Sequence, residues 1–281
     1  DEVELLAYLP NSILRAPENA RGVRTNDNWG WTDPETKREY ALVGRNDGTS
    51  FIDITNPSMP VLIGDLPKPW GTPPSQLWRD IKTYKDHAFI VADGAGDHGM
   101  QVFDLARLRE VTDIPALFEP DLHYTDIASS HNIIINEVTG YAYTVDGPTC
   151  GGGLYMMDIA DPLNPIFKGC SKGGENGTHD AQCVTYNGPD QRYTGNELCL
   201  NSNGAYFEIM DVTDKANPQT ISTASSPNAG YIHQGWLTDD HKYFYQDDEA
   251  DLVRGSVETT RTLVWDLTDL EDPILISEFM G

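Results

Sequence analysis

The chain has 281 residues and a formal net charge of −25, from 19 Lys and Arg against 44 Asp and Glu. That imbalance repels phosphate backbones and anionic bilayer surfaces, and argues against nucleic-acid partners. No run of eighteen apolar residues offers a transmembrane segment, and the opening Asp1-Glu2-Val3-Glu4 lacks the basic-then-apolar layout of a signal peptide, so the sequence reads as a mature, processed form.

After a lead-in over residues 1–28, the chain repeats itself in units of about fifty residues, at 29–66, 77–120, 129–172, 179–225 and 231–281. Each unit contains a copy of one segment. The copies are Phe51-Ile-Asp53-Ile-Thr-Asn-Pro, Met156-Met-Asp158-Ile-Ala-Asp-Pro, Ile209-Met-Asp211-Val-Thr-Asp-Lys and Val264-Trp-Asp266-Leu-Thr-Asp-Leu, with a degenerate one at Val102-Phe-Asp104-Leu. The central aspartates are spaced by 51, 54, 53 and 55 residues, a structural period.

Within each unit, β-rich runs of five to seven residues alternate with Gly, Asn, Asp and Pro turns, without a helical period. In the third unit the predicted strands are 131–137, 141–146, 153–159 and 165–170, with Val138-Thr139-Gly140 as a hairpin turn. Four antiparallel strands per unit make a propeller blade. The predicted fold is therefore all-β, one β-propeller domain over residues 1–281 with five repeat units. The recurring Asp is predicted to accept backbone N–H groups at an Asp-Pro corner, a structural role.

Four cysteines fall within fifty residues, and locality favours Cys150–Cys170 and Cys183–Cys199 among the three possible connectivities. Bridges of this kind imply an oxidising compartment. Asn176-Gly177-Thr178 is a glycosylation sequon.

The aspartate segments resemble the LVIVD repeat, and the stretch from Trp29 to Gly281 is similar to the choice-of-anchor B family of secreted bacterial propellers. The likeness rests on Trp29-Gly-Trp-Thr-Asp-Pro, Leu77-Trp-Arg-Asp-Ile-Lys, Asp93-Gly-Ala-Gly-Asp-His-Gly, Ser130-His-Asn-Ile, Thr149-Cys-Gly-Gly-Gly-Leu, Thr178-His-Asp-Ala-Gln-Cys and His233-Gln-Gly-Trp-Leu. The resemblance implies an exported or cell-surface propeller and no settled chemistry.

In a propeller the start of each first strand and the end of each second strand meet at one mouth of the central channel. First-strand starts carry Asp80, His131, His179 and His233; second-strand ends carry Asp93, Asp146 and the Asp247-Asp248-Glu249 cluster. His131 to Asp146 and His233 to Asp248 are both fifteen residues apart, which predicts equivalent blade positions. Three imidazoles with carboxylates behind them suit zinc, copper or iron; an oxygen-rich set of Asp80, Asp93, Asp146 and Asp248 suits calcium; and histidines that merely join blades need no metal. His98, in a glycine-rich loop, is placed to fold over a ligand. His87, His123 and His241 read as surface residues. Trp29, Trp31, Trp78 and Trp236 suit packing between blades, or a stacking platform for a sugar or peptide.

No Gly-x-Ser-x-Gly elbow is present. Two functional readings remain. One is a secreted or cell-surface module that binds an extracellular protein or glycan, with a metal at the channel mouth. The other is a metal-dependent oxidase or hydrolase in which Asp248 or Glu249 moves protons.

Overall fold

The computed structural model describes residues 3–18, 22, 24–73, 78–174 and 177–281. Asp1 and Glu2, Leu77 of the Leu77-Trp-Arg-Asp motif, and Asn176 of the sequon lie outside the described residues. A four-residue helix, α1 (Asn11–Leu14), is followed by β1 (Thr25–Thr32), β2 (Glu39–Arg45), β3 (Gly48–Asp53) and β4 (Val61–Pro67). The second unit supplies β5 (Trp78–Tyr84), β6 (His87–Asp93), β7 (Met100–Asp104), β8 (Ala116–Leu117) and β9 (Leu122–Tyr124). The third has β10 (Asn132–Asn136), β11 (Tyr141–Val145), β12 (Tyr155–Asp158) and β13 (Ile166–Cys170). In the fourth are β14 (Asp180–Thr185), β15 (Glu197–Ser202), β16 (Phe207–Asp211) and β17 (Gln219–Ala224), and in the fifth β18 (Ile232–Leu237), β19 (Tyr243–Asp248), β20 (Arg261–Asp266) and β21 (Ile274–Met280).

These strands form five sheets, each an antiparallel meander of four strands in sequence order. The exceptions to that order are in blades 1 and 2: β8 leaves its own unit and pairs in parallel with β4, so β9 takes the outer place beside β7. The fold class is thus all-β with propeller blades. The chain divides into two compact units, Asp1–Ile133 with Asp161–Pro165, and Ile134–Ala160 with Ile166–Gly281.

The aspartate corner is the same in every blade. Asp53, Asp104, Asp158, Asp211 and Asp266 each end the third strand, and each Oδ1 accepts the backbone N–H two residues on, at 2.8–3.0 Å. The intervening residue donates its own N–H to a carbonyl at or beside the start of the second strand, as Val212 does to Glu197 and Leu267 does to Lys242, both at 2.8 Å. In blades 1, 3, 4 and 5 a second side chain, from Asn56, Asp161, Asp214 or Asp269, repeats the arrangement three residues later. Short polar side chains favour such turns because they replace one backbone acceptor locally.

Blade 4 shows how sequence pattern sets burial. Its inner strand β15 is buried at all six positions, whereas its outer strand β17, Gln-Thr-Ile-Ser-Thr-Ala, is partly or fully exposed throughout. One face of the blade, with Ala181, Cys183, Cys199 and Met210, packs on Ile134, Tyr143 and Met156 of blade 3. The other, with Leu198, Leu200, Phe207 and Ile209, packs on Ile232, Leu237, Phe244 and Trp265 of blade 5. In the first unit, Trp31, Tyr40, Leu42 and Phe51 of blade 1 pack on Ile81, Ile90 and Phe103 of blade 2, while Leu14 and Ala16 of the N-terminal arm cover Ile52 and Leu62 on blade 1's other face.

A buried ion pair within blade 4 also ties that blade to blade 3. Lys215 Nζ lies 2.8 Å from Glu197 Oε2 and 3.9 Å from the centre of the Tyr141 ring. Glu197 Oε1 accepts from Tyr143 Oη at 2.6 Å and from Asn136 Nδ2 and Thr139 Oγ1 at 2.8 Å. Burial and the Glu197 charge push the Tyr143 phenol up, so it stays a donor. Both predicted disulfides are formed: Cys150–Cys170 spans blade 3, and Cys183–Cys199 links directly opposed residues of β14 and β15.

Replacing Asp211 with Ala removes the corner acceptor and is expected to cost roughly 1 kcal/mol in urea unfolding. Asp211→Asn keeps the acceptor and should lose less than half of that. Equal losses in the two variants would show that the carboxylate charge, not the turn, matters.

Candidate functional site

The starts of β14 and β18 lie side by side in the second unit, and they bring two of the three predicted histidines together. The His179 and His233 ring centroids are 4.4 Å apart, tilted by 38°. His179 Nδ1 donates to the His233 carbonyl at 3.1 Å. The His179 main-chain N–H donates to Ser202 at the end of β15, 2.8 Å away, fixing the residue to the blade. Tyr231 meets His179 edge to face at 5.4 Å, and Glu249 Oε2 lies 3.9 Å from His233 Nε2. Burial raises the Tyr231 phenol above its ordinary pKa, and the charges of Asp146 and Glu249 raise it further.

A glycine-dense loop frames this cluster. Asp146 follows the second strand of blade 3 with a left-handed φ of 49°, its N–H donating to Gly152 at 3.2 Å, and Thr178 donates to the same carbonyl at 2.9 Å. A side chain at Gly177, whose φ is 77°, would meet Asp146 Oδ1 at 3.1 Å, so this approach requires glycine. The Cys150–Cys170 disulfide ties the loop to the outer strand of the blade.

His131 lies in the first unit. Its Nδ1 donates to Asp93 Oδ2 at 3.2 Å, and its ring sits 5.6 Å from Trp78. The fifteen-residue spacing therefore does not carry over as a uniform histidine-carboxylate pairing: His131 uses an aspartate from the preceding blade, and the carboxylate beside His233 is Glu249, not Asp248. Asp248 instead accepts four backbone N–H groups, from Gly230, Tyr231, Ala250 and Asp251, at 2.7–3.0 Å. Burial opposes its charge, but those four donors hold the carboxyl below its ordinary value. Its oxygens are committed to a turn, while Glu249 stays exposed.

Asp80 is committed as well. Buried in β5, it pairs with Lys82 Nζ at 2.6 Å and accepts the Ile133 N–H at 2.7 Å. Asp27 stands beside it, in left-handed backbone (φ 59°), accepting the Ile81 N–H at 3.0 Å. Burial, and next the Asp80 charge, push the Asp27 carboxyl up to about 7. Among the described residues, no group of three or more His, Cys, Asp and Glu side chains is arranged to hold a metal ion.

The other candidates separate cleanly. His98 is fully buried: Arg79 Nη1 donates to its Nε2 at 2.8 Å, and its Nδ1 donates to the Gly99 carbonyl at 2.9 Å. Burial, and then the Arg79 charge, push it down to about 3, so it is a neutral core residue and not a flap over a ligand. His123 donates to the His98 carbonyl at 2.7 Å. His87 bonds the Lys85 carbonyl, and His241 Nδ1 accepts from Asn187. Trp31 is buried against Tyr40, Trp29 lies under Lys82, and Trp236 is 60% exposed.

The LVIVD repeat model matches residues 37–66 and 131–171, which cover β2–β4 of blade 1 and all of blade 3. The chain carries LVIVD repeats. Among solved structures, the chain is similar to a functionally unknown protein from Desulfotomaculum acetoxidans, at 12% identity and a TM-score of 0.60, over 92% of this chain and 71% of that one. A hypothetical selenium-binding protein from Sulfolobus tokodaii aligns at 12% identity and a TM-score of 0.58, over 92% and 64%. The β-propeller domain of Cps50 (Swd1) from Myceliophteria thermophila aligns at 12% identity and 0.52, over 86% and 69%. At these identities the likeness carries the propeller fold and nothing of activity. No curated protein matches the sequence.

Asp27 sets a pH dependence. Its carboxyl holds a proton up to about pH 7 in the folded chain, against 3.8 for the free side chain, so its contribution to stability is complete below that lower value and is lost as pH rises through about 7. Urea unfolding of the Asp27→Asn variant and the parent chain should show the parent losing ground between about pH 4 and pH 8. Parallel curves at both ends would rule out a proton on Asp27.

Proposed function

We propose that this protein is a secreted or cell-surface β-propeller interaction module, all five blades forming one domain, that recognises an extracellular ligand at the His179–His233 cluster. The carrying observation is the convergence of two imidazoles in ring contact, Tyr231 and Glu249 where blades 4 and 5 adjoin, with rigid blades positioning adaptable polar groups. Two disulfides support export, because such bonds persist in oxidising compartments. The described residues contain no helix long and apolar enough to cross a membrane. A choice-of-anchor B assignment is consistent with this location.

A second reading, a divalent zinc, copper or iron ion, is favoured by the tautomers. His179 and His131 each donate from Nδ1, to a carbonyl and a carboxylate, the kind of outer contact that orients a metal-ligating imidazole. The donor set around His179 and His233 falls short of a closed shell, so water or the ligand's own atoms would complete it. Calcium fits less well, since Asp80 and Asp248 are already taken up by Lys82 and by backbone amides.

Labelled protein applied to intact cells of the source organism should bind saturably, and the His179→Ala, His233→Ala double variant should bind roughly tenfold more weakly, with circular dichroism confirming its fold. Undiminished binding would remove the cluster from recognition. Elemental analysis of chelator-free protein tests the second reading: about one equivalent of transition metal, lost in His179→Ala, supports it, and its absence from the parent chain ends it.

A further inference from the structure

Of the two disulfides, only one is within reach of solvent. Cys183 and Cys199 are buried between blades 3 and 4, 4% and 0% exposed, whereas Cys170 is exposed and Cys150 half-buried. Cys150 also opens a left-handed run, its φ of 58° followed by 62° at Gly151 and 83° at Gly152. A residue with a side chain keeps that conformation only where its surroundings impose it, and here the bond to Cys170 of β13 does so.

The run is coupled to His179 through main chain. The Gly152 carbonyl accepts the N–H groups of both Asp146 and Thr178, and Thr178 immediately precedes His179. A Cβ on Gly152 would stand 3.0 Å from the Gly177 Cα, and one on Gly153 would stand 2.3 Å from the Gly173 nitrogen. Backbone packed on backbone has no rotamer with which to absorb a shift, so a movement of residues 150–153 passes into Gly177 and Thr178.

We propose that Cys150–Cys170 is a redox switch on the histidine cluster, while Cys183–Cys199 is a permanent structural bond. The inference rests on the recognition site proposed above and adds its regulation. The reductant is an external dithiol. One of its thiolates attacks the sulfur of Cys170, the more exposed cysteine; the S–S bond breaks, and Cys150 leaves as a thiolate that takes up a proton. The second sulfur of the dithiol then cleaves the mixed disulfide, so the protein gains two electrons and two protons while the dithiol becomes a disulfide. Freed from Cys170, Cys150 leaves the left-handed region and the Gly152 carbonyl turns away from Asp146 and Thr178. The chain leading into His179 loses a tie, and Asp146, whose charge bears on Tyr231, moves with it.

Folded protein held in graded dithiothreitol, alkylated with iodoacetamide and mapped by peptide mass spectrometry, tests the switch. Cys150 and Cys170 should be labelled together at a concentration roughly tenfold or more below that which opens Cys183 and Cys199. In the same series, proton–nitrogen correlation spectra of the imidazoles should show the His179 and His233 signals moving, the His98 signal staying, and all returning on reoxidation. The Cys150→Ser, Cys170→Ser double variant should give the reduced positions with or without dithiothreitol; if it does not fold, reduction and reoxidation of the parent give the same reading. None of these readouts needs a ligand, so a failure of cell binding at the cluster and a failure of the switch are told apart. The proposal is overturned if both bridges open together, if the His179 and His233 signals ignore reduction, or if circular dichroism shows the reduced parent unfolded.

Discussion

An aspartate oxygen that bonds the backbone N–H two residues ahead is the constraint on which the blades depend. It ends the third strand at a fixed residue and turns the chain toward the fourth. It also leaves the next N–H free to bond a carbonyl beside the start of the second strand. Three strand ends are thereby set by one short side chain. A blade cannot slip by one residue without breaking all of these bonds, and such a slip would also turn its apolar face outward. The aspartate recurs in every blade because the same turn is built five times. Phe51, Ile209 and Val264, two residues before their corners, are all buried.

Stacking the blades requires more than apolar area, since two apolar faces can slide. Glu197 and Lys215 sit 5% and 7% exposed, a placement that costs desolvation and is repaid by the ion pair, three donors to the carboxylate and the Tyr141 ring under the ammonium. The donors come from blade 3 and the ion pair from blade 4, so the network is satisfied in one relative placement of those two sheets. That placement carries through β15. Its last residue, Ser202, receives the His179 N–H, and the histidine cluster inherits the rigidity of the core beneath it.

Period, strand content, corner aspartates and both disulfides were legible in the sequence because each follows from local chemistry repeated at a fixed interval. The parallel pairing of β8 with β4 was not, because Ala116 and Leu117 carry too short a pattern to declare a partner fifty residues away. Of the site, the neighbourhood of His179 and His233 followed from their equivalent positions in consecutive blades. The role of Asp248 did not, because it depends on where four backbone N–H groups point, and residue type does not encode that. Nor does residue type mark Asp27, whose raised carboxyl comes from burial beside Asp80 across two strands. The motif around His98 reads as a mobile loop by composition, but Arg79 draws the ring inward and the core closes over it.

The acidity of the chain takes on a different meaning in this light. An excess of 44 acidic over 19 basic residues invites the idea of cation storage. Many of the acids are instead spent internally. Five corner aspartates and their companions accept backbone amides, Asp33, Asp190 and Asp251 hold arginines, and Asp248 closes a turn. An acid used as a turn acceptor needs no external cation, since the amide dipoles compensate its charge. Asp146 and Glu249 differ from these, since their charges bear on the Tyr231 phenol beside the histidine pair.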